Sequence, residues 1–114
     1  MKETEILKYQ KLNELAHTGG IVILGGSEDT DIPMWEIRQT FEMEEDLYNR
    51  SFEDLSITDA VAVYDTCVAV LAPETILLHV GQKDIDMLQE NPVRFDGLYR
   101  DLVNHIRKKN RHCR

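Results

Sequence analysis

Ser27 directly follows a continuous apolar run, Ile21-Val22-Ile23-Leu24, and a tight Gly25-Gly26 turn. A serine in that position stands at the rim of a sheet with its hydroxyl exposed. The turn presents the oxygen and the serine's own backbone N–H toward one point, which suits a nucleophile. The same position also suits a serine that caps the following turn or satisfies local backbone groups. Phosphate binding is disfavoured, because neither G-x-G-x-x-G nor G-x-x-x-x-G-K-[ST] occurs and Glu28, Asp29 and Asp31 repel an anion. Spacing reveals no base for the serine. His17 and His105 fall in helical patterns and His112 in a basic tail. His79 lies inside an apolar strand run, near enough to Gly81 to approach the rim, though a strand histidine is more often a satisfied core group. Asp101 and His105, one helical turn apart, read as a solvent-facing pair.

The elements that position these residues follow from periodicity. Residues 3 to 17 read as a helix with Tyr9, Leu12 and Ala16 near one face, stopped by Gly19-Gly20. Ile21 to Leu24 reads as a strand buried on both faces, which implies a parallel sheet. Pro33 sits at the first turn of a short helix striped by Met34, Ile37 and Phe41, with Trp35 off the stripe. Leu47-Tyr48-Asn49 reads as a short edge strand. Ser56-Ile57-Thr58-Asp59 resembles a capping box ahead of a helix carrying Ile57, Val61, Tyr64, Val68 and Leu71, and Pro73 ends it. Thr75 to Val80 is a second apolar strand. Pro92 opens a final helix with Phe95, Leu98, Leu102 and Ile106 inward, running to about Lys109. Helices alternating with strands in this way define an α/β fold, whose ligands bind outside the carboxyl ends of the strands.

Composition narrows the class. A chain of 114 residues, 42% hydrophobic and 30% charged, with no repeat and no linker, is one soluble globular domain. No apolar run is long enough to cross a bilayer, and Met1-Lys2-Glu3-Thr4-Glu5 is acidic where a signal peptide is basic and then apolar, so a cytoplasmic location is expected. Net charge is −8, and residues 107 to 114 hold five of the 13 bases without an acid. The acidic body argues against nucleic acid as a partner, while the basic end either favours a helix C-terminus or contacts an acidic partner. Cys67 and Cys113 form no disulfide framework and lack metal-ligand spacing, so both are expected to be reduced and structural, and no metal or cofactor is implied.

Three strand ends, Ile21-Val22-Ile23-Leu24-Gly25-Gly26-Ser27, Tyr48-Asn49-Arg50-Ser51 and Leu78-His79-Val80-Gly81-Gln82-Lys83-Asp84, together resemble the SGNH (GDSL-like) hydrolase family over about residues 5 to 112. In that family the blocks are Gly-Asp-Ser, Asn-Arg-Gly and Gly-x-Asn-Asp. The resemblance implies a three-layer, flavodoxin-like parallel sheet, of which this chain covers about the first three strands. It implies acyl-ester hydrolysis with Ser27 as nucleophile, the Ser51 backbone N–H as an oxyanion donor, and Lys83 at the position of the oxyanion asparagine. Gly26 stands in place of the family's aspartate, Ser51 in place of its glycine and Lys83 in place of its asparagine. Lys83 alternatively pairs with Asp84, Asp86 or the acidic loop after Ser27.

The family's Asp-x-x-His block, which supplies the base, has no counterpart here. The expectation is therefore a single domain, residues 1 to 114, incomplete at its C-terminus and inactive alone on a small ester substrate. The competing expectation is a degenerate relative whose crevice binds a ligand or partner. A flavodoxin-like nucleotide or phosphate binder is a third. The 75–80 strand has no following strand to cover its edge, so pairing there with a further segment or another chain is expected.

Overall fold

The computed structural model describes residues 2–111 and 113–114; the expected position of His112 in the basic tail lies outside them. The chain is mixed α/β. Its centre is a parallel sheet of β1 (Ile21–Gly25), β2 (Leu47–Asn49) and β3 (Thr75–His79) in the order β2-β1-β3. Ile21 aligns with Leu47 on one side and Thr75 on the other, and Gly25 aligns with His79. β1 is β-branched and apolar because both its faces are covered: Val22 and Leu24 are fully buried on one, Ile23 nearly so on the other. β3 differs from the two-faced strand its apolar run predicts. Leu77 is 51% exposed, because helices cover only the face of Ile76 and Leu78, and the strand ends at His79 rather than Val80.

Helix α1 (Lys2–Leu15) ends before Gly19 and Gly20, whose φ angles of 86° and 80° are the left-handed stop expected of them. It docks through Tyr9 and Ile6, while Leu12 is 45% exposed instead of facing inward. A 3-10 turn (Glu28–Asp31) leads to α2 (Met34–Thr40), which buries Met34 but leaves Phe41 outside its last turn and exposed. α3 (Ala60–Val63) continues as a π turn (Tyr64–Val68) and a 3-10 turn (Ala69–Leu71). The irregularity serves packing. Val63, Tyr64, Cys67, Val68 and Leu71 are all buried, and the freed Cys67 carbonyl accepts from Asn13 Nδ2 at 2.7 Å. The capping box predicted at Ser56 does not form. Asp59 precedes the helix without a side-chain cap, and Ser56 Oγ instead donates to Asp84.

The short α4 (Ile85–Glu90) is an addition to the expected elements; its Ile85 and Leu88 are exposed and Met87 packs against the core. α5 (Pro92–Lys109) spans the residues expected, with Asn91 Oδ1 accepting from Arg94 N and Leu102 and Ile106 buried. His105 does not pair with Asp101. Its Nε2 lies 2.7 Å from Asp65 Oδ1, across the interface between α5 and the π turn. Beyond α5 the chain returns to β3, where Arg114 N donates to Glu74 O and Ile76 N donates to Arg114 O at 2.6 Å, the bonding pattern of one parallel rung. The outer edge of β3 is therefore covered at its start.

Burial pushes the Cys67 thiol and the Tyr9 and Tyr64 hydroxyls above their ordinary values. The unfolded chain ionises at ordinary values, so stability present below about pH 8.5 declines as pH rises further. The urea midpoint is expected to be lower at pH 10 than at pH 7, with Cys67→Ala narrowing the gap. Equal midpoints would contradict this.

Candidate functional site

The carboxyl ends of β1 and β3 open onto one cleft of about 380 Å³, lined by Ser27, Glu28, Asp29, Ile32, His79 and Gln82. Ser27 arrives there because Gly26 turns the chain sharply off β1, its N–H donating to His79 O at 3.0 Å. A Cβ at Gly26 would lie 2.9 Å from the Leu55 carbonyl. A glycine at position 26 is thus required by a close backbone approach. The Ser27 hydroxyl caps nothing in the 3-10 turn and has no hydrogen-bond partner among the described residues.

Asp29, two residues on, folds back over the end of β1. A Cβ on Gly25 would lie 2.2 Å from Asp29 Cγ, so the missing side chain of Gly25 is the space the carboxyl occupies. The backbone of the turn is held from β2, as Asn49 Nδ2 donates to Asp29 O at 2.7 Å and to Ile32 O at 3.3 Å. The carboxylate side chain is only 10% exposed. Its Oδ2 lies 2.8 Å from His79 Nδ1, and its Oδ1 accepts from Gln82 Nε2 at 3.3 Å. Gln82 Oε1 is buried without a partner among the described residues.

Ser51 and Lys83 fare differently from Ser27. Ser51 is fully buried; its N–H donates to Asn49 Oδ1 at 3.0 Å and its Oγ accepts from Gly25 N at 2.9 Å. It ties β2 to β1 and does not line the cleft, so its N–H is already committed. Lys83 is exposed and shares a smaller adjoining hollow of about 200 Å³ with Ser27, Glu28, Thr30, Asp31 and Glu53. Its expected partner Asp84 is occupied elsewhere: Oδ1 accepts from Ser56 Oγ at 2.7 Å and Oδ2 from Ile57 N at 2.8 Å.

Behind the cleft, Arg50 is buried between the rings of Tyr9 and Tyr48, 5.3 and 5.2 Å from their centroids. Its Nε donates to Asn13 Oδ1 at 2.9 Å and one terminal nitrogen to Asn49 O at 3.1 Å. Tyr9 donates its hydroxyl proton to Ser51 O. Burial lowers the Arg50 pKa from its ordinary value. These bonds tie the segment after β2 to α1.

Sequence reasoning brought Ser27 and Lys83 to neighbouring hollows but missed the pairing of Asp29 with His79. One signal was available. His79 closes a strand whose neighbour in register ends in Gly25, and a glycine at that position leaves room for a side chain from the following turn. Comparison of the chain with protein-family models, curated proteins and solved structures finds no match.

Proposed function

We propose that this chain forms the nucleophile crevice of a serine-type acyl-ester hydrolase of SGNH kind. The observation that carries the reading is Ser27, a serine with a free hydroxyl at the carboxyl end of the central parallel strand, opening onto the cleft. The β2-β1-β3 order favours a flavodoxin-like sheet, whose ligands sit at this end. Ser27 Oγ attacks the ester carbonyl, and the developing oxyanion accepts from the Ser27 N–H, with the Lys83 ammonium as a second donor from the adjoining hollow. The Ser51 N–H is left out because Asn49 holds it. Glu28, Asp31 and Glu53 at the rim favour neutral over anionic esters by simple repulsion.

A fluorophosphonate probe tests the assignment. Covalent labelling of Ser27, lost in Ser27→Ala together with hydrolysis of p-nitrophenyl acetate, is expected. Hydrolysis unchanged in Ser27→Ala, with no adduct at Ser27, would overturn it.

The committed Ser51 N–H also favours a second reading, in which the crevice binds a neutral ligand without turning it over. That reading expects background hydrolysis together with a ligand-dependent rise in melting temperature.

A further inference from the structure

We infer that His79 is the general base for Ser27 and that Asp29 orients it, so that nucleophile, base and positioning carboxylate all come from the strand ends of this one chain; the inference rests on the hydrolase reading of Ser27. This departs from the family pattern, in which the base comes from an Asp-x-x-His block that this sequence lacks.

Register puts His79 in place. It pairs with Gly25 across β1 and β3, and register partners in a sheet project from the same face. Asp29 fills the space that Gly25 leaves on that face, which brings its Oδ2 to 2.8 Å from His79 Nδ1. Ser27 and His79 line the same cleft. The tautomer follows from the partners of the ring. With its proton on Nδ1, His79 donates to a carboxylate that already accepts from Gln82. With its proton on Nε2, Nδ1 would accept from Gln82 Nε2 at 2.9 Å but would set its lone pair against the carboxylate at 2.8 Å; donation to an ionised carboxylate is the stronger of the two bonds. The Nδ1–H form is the one this base requires, and it leaves the Nε2 lone pair to accept a proton. The exposure of the side chains divides in the same way, with 68% for His79 and 10% for Asp29. The ring can meet a substrate while the carboxylate behind it stays fixed.

The reaction balances with water as the only co-substrate. Ser27 Oγ bonds to the ester carbonyl carbon as its proton passes to His79 Nε2, and the carbonyl electron pair moves onto oxygen. Collapse of this intermediate breaks the bond to the alkoxy group, which leaves as an alcohol carrying the proton from Nε2. Water then attacks the acyl-serine carbonyl, losing its proton to Nε2. Collapse breaks the acyl bond to Ser27 Oγ, which recovers a proton from Nε2, and the carboxylic acid departs. Asp29 touches no reacting atom; it is a positioning residue.

The test uses the 114-residue protein. The wild type is expected to take up a fluorophosphonate at Ser27, and His79→Ala to slow that labelling by ~10²-fold or more. Added imidazole is expected to restore part of the rate to His79→Ala and none to Ser27→Ala. Ring ¹⁵N spectra report the positioning role without a rate, showing the Nδ1–H tautomer in the wild type and a mixture in Asp29→Asn. Equal labelling of wild type and His79→Ala, or an Nε2–H tautomer in the wild type, would overturn the inference while leaving Ser27 as nucleophile. Absence of labelling in the folded wild type would overturn the inference too, by removing the hydrolase reading on which it rests.

Discussion

Phe52→Ala is expected to destabilise the fold by about 3–5 kcal/mol, a large share of the ~5–15 kcal/mol that holds a domain of this size together. Phe52 is fully buried and packs edge-on against Tyr9, with ring centroids 5.3 Å apart. Its N–H donates to Gly25 O at 2.9 Å, extending the β1–β2 bonding past the end of the strand. The ring therefore joins α1 to the segment behind the cleft, and removing it leaves a cavity bordered by a helix and a sheet end. Urea denaturation measures the loss, with Phe52→Leu expected to recover most of it because a smaller void remains. A loss below ~1 kcal/mol would mean that the neighbours collapse into the space.

Gly25→Ala is expected to be damaging out of proportion to one methyl group. The new Cβ would stand 2.2 Å from Asp29 Cγ and 2.4 Å from Asp29 Cβ, distances that no rotamer of so short a side chain can absorb. The 3-10 turn would have to move, against the bonds that Asn49 makes to it. The expected cost is about 1–3 kcal/mol, with release of His79 from the carboxylate. Compensation distinguishes this mechanism from a general intolerance of β1. Gly25→Ala combined with Asp29→Gly is expected to be more stable than additivity allows, because the second change removes the atoms with which the first collides. Strict additivity in denaturation midpoints would refute the collision.

Elements whose own residues determine them were legible in the sequence. β1 and α5 follow directly from an apolar β-branched run and from a Pro-led stripe at helical spacing, and β2 was found despite its three residues. Tertiary context decided the rest. Leu77 and Phe41 look like core residues because they are large and apolar, yet no layer covers them. Ser56 looks like a cap because Thr58 and Asp59 follow it, yet it donates its hydrogen bond to a carboxylate 28 positions away. His105 reads as the partner of the acid one turn before it but faces Asp65 instead. At the candidate site, Ser27 was legible because a turn after a strand is a local pattern. Asp29 and His79 were not, because fifty positions separate them and only the β1–β3 register brings them together.

The rung formed by Arg114 gives the molecule a division into parts. After β3 the chain leaves the sheet, builds α4 and α5, and returns at Arg114 to the start of the strand it departed from. That excursion is held to the rest by the burial of Leu102 and Ile106, by two backbone bonds at the strand, by the His105–Asp65 and Asn110–Pro73 bonds, and by Asp84, which accepts from Ser56 and Ile57. Segments that leave and rejoin one strand commonly open in cooperative subglobal steps. Fluctuations of the C-terminal helix reach the cleft through β3, whose last residue is His79, and through Gln82, which lines the cleft between β3 and α4.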